Sequence, residues 1–476
     1  AGVGVWIGRS SFNSVTHNEI CDLNYTGVSV GWSWGYAPSS AHHNVVEHNH
    51  IHHVGRGVLG DMGGVYTLGI SPGTRIRHNV IHDVYSPGVG GGTGIYPDEG
   101  SSGILIENNL VYHTELGCFS QHYGRENTVR NNILALSRAG EISRYRQEDH
   151  LSFTFERNIV YSTSGFFLNG AWSNGHYRMG KNLYWDTSTA DPDFGDMGFE
   201  DWQALGRDAG SLVADPMFLN PQALDFHLKP DSPAKKIDFV AFDPGQAGLY
   251  GDPDWVSLPR KIVRPPLELP PVKPRGPETI DDGFESTAPG RPAAAAVTSG
   301  ETKGASVRVT EEAAATGKRC LKFTDAPGLP YAWQPHVFYT PRWRKGTAHV
   351  SFAVRLGQDA DFVHEWRDAA QPYRVGPSIR IDRAGRLAAG GKPLMSVPGD
   401  QWIRLDFVAG LGKQANGTYD LTVTAQGQAP KKFPNLPFGH PGWKGLRWLG
   451  FISLADKATA IYLDDVKLLS TQEVLP

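Results

Sequence analysis

Apolar and polar residues alternate in short runs along the first half of the chain, and the runs return at a regular interval around an asparagine. The copies are NSVTHNEICD (13–22), NVVEHNHIHH (44–53), TRIRHNVIHD (74–83), ILIENNLVYH (104–113), TVRNNILAL (128–136) and FTFERNIVYS (153–162), with YRMGKNLYWD (177–186) as a fading one. Each carries Ile, Val or Leu two residues after the Asn, or Tyr184 in the last. The asparagines are Asn18, Asn49, Asn79, Asn109, Asn132, Asn158 and Asn182, at spacings of 31, 30, 30, 23, 26 and 24 residues. Alternation with period two, and no apolar stripe at a spacing of three or four, predicts strands rather than amphipathic helices. Units of this length suit a right-handed parallel β-helix, in which each coil supplies three short strands and coils stack ~4.8 Å apart. The asparagine is expected to take the left-handed bend between two strands and to bond to the asparagine of the next coil.

A second set of short strands follows the loops: GVSVG (27–31), GVYTL (64–68), GIYPD (94–98), GCFSQ (117–121), GEISR (140–144) and GFFLN (165–169). Aligned on the leading glycine, the third positions form a column of Ser29, Tyr66, Tyr96, Phe119, Ile142 and Phe167. The fifth positions form another, with Gly31, Leu68, Asp98, Gln121, Arg144 and Asn169. The two columns share a face. Burying Asp98 and Arg144 would be costly, so this face is expected to point outward as a cleft.

The repeats fade after about residue 187, and ADPMFLNPQALDFHLKPDSPA (214–234) reads as a segment closing the open end of the solenoid. Seven of the nineteen residues from Pro259 to Pro277 are proline, which predicts a stiff linker over 241–279 between a β-helix at 1–240 and a second domain at 280–476. That domain has alternating strands such as HVSFAVRL (349–356), WIRLDFVA (402–409) and AIYLDDVKLL (460–469), and it reads as a jelly-roll-like β-sandwich. The predicted fold is all-β. Trp333, Trp343, Trp443 and Trp448 would contact sugar if exposed and form core if buried.

Composition agrees with a turn-rich β protein, with 56 Gly and 33 Pro. A net charge of −4 argues against a nucleic-acid partner, no apolar run is long enough to span a bilayer, and three scattered cysteines define no disulfide framework. The chain opens on AGVGVWIGRS without a leader or an initiator Met, which suggests a mature protein or a fragment lacking its N-terminal part. Twelve of the 18 histidines fall in the first 150 residues. His48, His50 and His52 share a face, and two such rings can chelate a metal. His48, however, repeats the position of His17 and His78, and His52 that of His82. The sequence fixes no carboxylate nearby, so these residues are expected to form stacked outer ladders, with no metal and no cofactor.

Asp61 lies in the glycine-rich stretch GVLGDMGGVYTLG (57–69), and Asp98 and Glu99 end the strand of the next coil. Asp61 reaches Asp98 only if its loop folds back over the cleft. QHYGREN (121–127) and SRYRQEDH (143–150) add His122, Tyr123, Arg125, Arg144, Arg146, Glu148 and His150. Without a ligand, Asp61 and Asp98 would simply hold turns.

The stretches GDMGGVYTLG, IYPDEGSSGILIENNLVY, QHYGREN and HLSFTFERNIVY resemble β-helical enzymes of glycoside hydrolase family 141, over about residues 1–240. The resemblance implies hydrolysis of a plant or algal glycan, of the fucosidase or xylanase kind, by an acidic pair. It places Asp61 and Asp98, with Glu99 adjacent, as catalytic residues. Trp32, Tyr66, Tyr96, Gln121, His122, Tyr123, Arg125, Arg144, Arg146 and His150 are the expected sugar contacts. A secreted or periplasmic location follows from such a function. Two other readings stay open: a lyase or epimerase acting on a uronate through Arg, His or Tyr, and a non-catalytic carbohydrate-binding protein.

Overall fold

A computed structural model describes residues 2–87, 90–269, 277–370 and 372–470. The chain divides into two compact units, 1–276 and 277–476. The prolines from 270 to 276, within the expected linker, lie outside the described residues.

The first unit is a parallel β-solenoid of three sheets. The first sheet contains Val5–Ile7, Val28–Val30, Gly63–Thr67, Thr93–Pro97, Phe119–Gln121, Ile142–Arg144 and Leu168–Gly170. The second runs from Ser14–Thr16 to Arg178–Gly180, and the third from Glu19–Leu23 to Leu212–Val213. Inward residues of all three form one core, including Val28, Val65, Ile95, Phe119 and Ile142 from the first sheet and Ile51, Ile81, Val111 and Leu134 from the third.

The asparagines do form the ladder. From Asn18 to Asn182 each side-chain nitrogen donates to the oxygen of the next coil's asparagine at 2.9–3.2 Å, and Asn182 ends the series on Asp208 at 3.0 Å. The bend falls one residue earlier than expected. His17, His48, His78, Asn108, Asn131, Arg157 and Lys181 hold φ between 51° and 56°, each directly before its asparagine. With the preceding residue taking the left-handed turn, the amide is free to point inward and bond along the axis.

The cap and the closing segment are also placed differently from expectation. The helix Phe199–Ala204 caps the last coil, with buried Trp202 stacked on Tyr177 and bonded to Asp208 at 2.7 Å. The segment from 214 covers the outward face of the third sheet instead, where Phe218, Phe226 and Ile237 bury Leu110, Tyr112, Ile133, Ile159 and Leu183. It continues toward the first coils as a strap. Val240 pairs with Asn131, the Gly248 amide donates to His48 at 2.8 Å, and Arg264 grips Asp22 at 2.7 Å. Prolines here open short helical turns along the strap, at Pro244–Gln246, Pro253–Ser257 and Leu258–Lys261.

The second unit is an antiparallel sandwich of an eight-stranded and a seven-stranded sheet around its own core. Trp343 and Trp443 belong to that core. Trp333 is exposed and stacked on Tyr331, while half-buried Trp448 lies under the Arg367 guanidinium. No described helix is long and apolar enough to cross a membrane.

Candidate active site

The outward side of the first sheet collects most of the chemistry. Its parallel register sets Trp6, Ser29, Tyr66 and Tyr96 side by side on successive strands. Trp32 meets Trp6 and Trp34 edge-on at 5.5 and 5.3 Å, and all three indoles are open to solvent. Tyr66 and Tyr96 meet edge-on at 5.4 Å.

Beyond Tyr96 the strand ends at Pro97, and the Asp98 amide donates to the Thr67 carbonyl at 2.9 Å. Asp98 is only 5% exposed. Its Oδ2 accepts from the Tyr66 hydroxyl at 2.5 Å, and its Oδ1 lies 2.9 Å from His122 Nδ1. The His122 backbone amide donates to Pro97 at 3.0 Å, which fixes the ring beside the carboxylate.

Asp61 does fold back toward this face. It sits in the left-handed region with φ 51°, its amide donates to the Gly90 carbonyl, and its carbonyl accepts from Tyr25 at 3.1 Å. A Cβ on Gly91 would stand 2.4 Å from the Asp61 nitrogen, so this close approach of two loops requires glycine. The Tyr96 hydroxyl interacts with both Asp61 and Asp98. Desolvation in the cleft, and then the charge of Asp98, push the Asp61 carboxyl above the usual range, with Glu99 adding to the effect; His122 and Tyr96 pull it back. Burial, followed by Asp98, keeps both tyrosine hydroxyls protonated well above the ordinary tyrosine range.

A second lobe adjoins the pair. Glu99 accepts from Tyr123 at 3.0 Å and lies 3.9 Å from His122. Arg146 covers the Tyr123 ring at 4.2 Å, and Arg125 lies over Tyr36 at 5.2 Å. Tyr36 donates to Glu148 and stands 3.1 Å from His150.

Neither a protein-family model nor a curated protein matches the chain. Several solved structures are similar to part of it. An endo-β-1,4-glucuronan lyase from Trichoderma reesei is 13% identical, with a TM-score of 0.29 over 37% of this chain and 90% of that one. A marine alginate lyase from Aplysia kurodai is 9% identical, with a TM-score of 0.27 over 35% and 87%. The catalytic domain of a glycoside hydrolase family 131 protein from Coprinopsis cinerea is 12% identical, with a TM-score of 0.26 over 34% and 77%. Likenesses this weak carry no argument about activity.

Of the residues expected at the site, Asp61, Asp98, Glu99, Tyr66, Tyr96, His122, Tyr123, Arg125, Arg146 and His150 lie in these two connected lobes, and Trp32 lies in the indole strip. Gln121 and Arg144 do not join them. Pairing of Ile95 with Phe119, and of Phe119 with Ile142, sets later strands one residue out of step with their leading glycines. Such a slip sends a side chain to the opposite face. Ser120 and Ser143 therefore continue the outward column, while Phe119, Ile142 and Phe167 are core. Gln121 is buried between Ser152 and Asn127. Arg144 is buried as well, donating to Ala171 at 2.8 Å and to Asn174 at 2.9 Å.

Glu148 lies on this face as expected, whereas Trp6, Trp34 and Tyr36 belong to it and were not expected there. For Trp34 and Tyr36 the signal was present in the aromatic run GWSWGY (31–36), whose residues alternate in a glycine-rich segment. Among the described residues, the two groups of three possible metal ligands lie on the third sheet, away from these acids.

Proposed function

We propose that the chain is a glycoside hydrolase in which Asp61 serves as the general acid and Asp98 as its partner carboxyl group. The carrying observation is the contrast between two aspartates linked through one tyrosine hydroxyl. Asp61 has a carboxyl pushed up by desolvation and by Asp98. Asp98 takes a hydrogen bond from Tyr66 and stands 2.9 Å from His122 Nδ1, contacts that fix the direction of its two oxygens. Glycoside hydrolysis needs such a division: one carboxyl protonates the leaving oxygen, and the other attacks the anomeric carbon or activates water. The strip of Trp6, Trp32 and Trp34 offers flat apolar rings to sugar faces, and Arg125 and Arg146 offer charge to hydroxyls or a uronate. The resemblance to family 141 favours a plant or algal glycan of the fucosidase or xylanase type, acted on outside the cytoplasm.

One observation favours a second reading. Two buried tyrosine hydroxyls and His122 converge on Asp98, a set that also suits proton abstraction beside a uronate. A screen on plant and algal glycans, reading reducing ends and unsaturated uronate together, separates the two. Hydrolysis yields reducing ends without the unsaturated chromophore, and Asp61→Asn and Asp98→Asn each lower turnover by about 10²–10⁴-fold while glycan binding is kept. A chromophore that accompanies cleavage overturns the hydrolase assignment. Unchanged turnover in both variants overturns the acid pair.

A further inference from the structure

The outward face of the third sheet changes character along the solenoid. From the fourth coil onward it is apolar and covered by the segment around Phe218 and Phe226. In the first three coils it carries imidazoles and carboxylates that the acidic cleft does not use. The register sets Glu19 beside His50, and Cys21, His52 and His82 in one row. Glu19 reaches both neighbours, with Oε2 at 3.0 Å from His50 Nδ1 and Oε1 at 2.7 Å from His52 Nε2. One ligand atom from each of these three residues lies within 4.8 Å of the others. His50 Nε2 stands 2.8 Å from His82 Nε2, so these two facing imidazole nitrogens share one proton.

We propose that Glu19, His50 and His52 bind a divalent transition-metal ion of the zinc type. Two imidazoles and a carboxylate are donors that Zn²⁺ accepts, with bonds of about 2.0–2.2 Å; neighbouring donors around a tetrahedral ion stand roughly 3.3 Å apart, so the hydrogen-bonded pairs at 3.0 and 2.7 Å need only small side-chain shifts to admit the ion. Side chains behind the ligands orient them, as outer partners do in metal sites. His52 Nδ1 lies 2.8 Å from His53 Nδ1, and His82, which faces His50, is held by Asp83 at 2.7 Å. Glu19 and His52 are 12% and 5% exposed at the side chain, whereas His50 is 31% exposed and leaves the ion an entrance. The strap crosses at this point. Gly248 has φ 92°, and a Cβ there would come within 3.1 Å of His50 and 3.3 Å of Glu19, so glycine lets the strap lie against the ligands. The ion would fasten the first two coils together under the strap, and its effect would be on stability rather than on chemistry at the distant acids.

The full chain, stripped with a chelator, is titrated with Zn²⁺ by calorimetry and followed by thermal unfolding. The expected result is about one ion per chain and a raised Tm. Glu19→Gln, and Glu19→Gln with His52→Ala, should lose both effects while keeping the far-ultraviolet spectrum of the β-solenoid. A neighbouring trio, His53, His82 and Asp83, also has metal-binding geometry. His53→Ala removes one ligand of that trio and an outer partner of His52, so it should still take up one ion per chain, with affinity lowered by about 10–100-fold at most. Co²⁺ gives a direct check on unmutated protein, because imidazole–carboxylate ligation produces visible bands that Zn²⁺ then removes. Absence of stoichiometric uptake by the unmutated chain overturns the proposal and leaves a proton-sharing histidine ladder. Undiminished uptake by the double variant, or its loss in His53→Ala, also overturns it.

Discussion

Asp61 and Asp98 are the same residue type in neighbouring coils, and their surroundings differ in the way the proposed division of roles requires. A general acid works only while protonated, so the alkaline limb of the kcat/KM profile should follow Asp61. The Tyr96 hydroxyl lowers the pKa of Asp61, and the Glu99 charge raises it. Tyr96→Phe is therefore expected to move that limb to higher pH, and Glu99→Gln to lower pH, when profiles are compared on one substrate. Arg144 gives the opposite kind of case. It is charged, follows the same strand series, and was expected beside the acids, yet it is buried among Ala171, Asn174 and the Tyr177 ring. Arg144→Ala leaves those acceptors unmatched, and we expect a loss of about 1–3 kcal/mol in urea unfolding, with kcat/KM retained at permissive temperature.

At the scale of the strand, the repeating asparagine was legible because it answers a local demand that recurs every coil. Its inward amide satisfies backbone groups at a sharp bend as well as the next asparagine, as in the Asn79 contacts with Val46 and Asn109. Face assignment was less legible. Leading glycines made a plausible alignment for the first sheet, but hydrogen-bond pairing sets the register, and the pairing shifts once coils shorten after Asn109. Glu141 shows how firmly the resulting interior is enclosed. It sits just before Ile142–Arg144, fully buried, accepting from the Ser137 amide and from Cys118 at 3.1 Å. Burial pushes its carboxyl from 4.5 up to about 8. Between those values the folded chain holds a proton that the unfolded chain has released. Its contribution is thus fully present below about 4.5 and is lost as pH rises toward about 8. Glu141→Gln should flatten that decline, measured as Tm against pH.

Across the whole molecule, each unit closes its own core, one among the coils and one between the sandwich sheets. Two separate cores lead us to expect two calorimetric transitions, with Asn109→Ala lowering only the one that belongs to the solenoid. A single transition, lowered as a whole by that change, would count against independent folding of the units.

The sequence by itself determined the coil, its asparagine ladder, the sandwich and most of the polar residues around Asp98. These follow from period-two alternation and from turn chemistry repeated in each unit, both of which are local in the chain. Tertiary structure alone decided what depends on stacking: which face a strand presents, the strap along the third sheet, and the meeting of Glu19 with His50 and His52. Glu19 lies 31 residues before His50, and only the parallel pairing of their strands brings the carboxylate within 3.0 Å of the ring. The four histidines of HNHIHH are visible in the chain, whereas the carboxylate beside them becomes a neighbour only when one coil settles on the next.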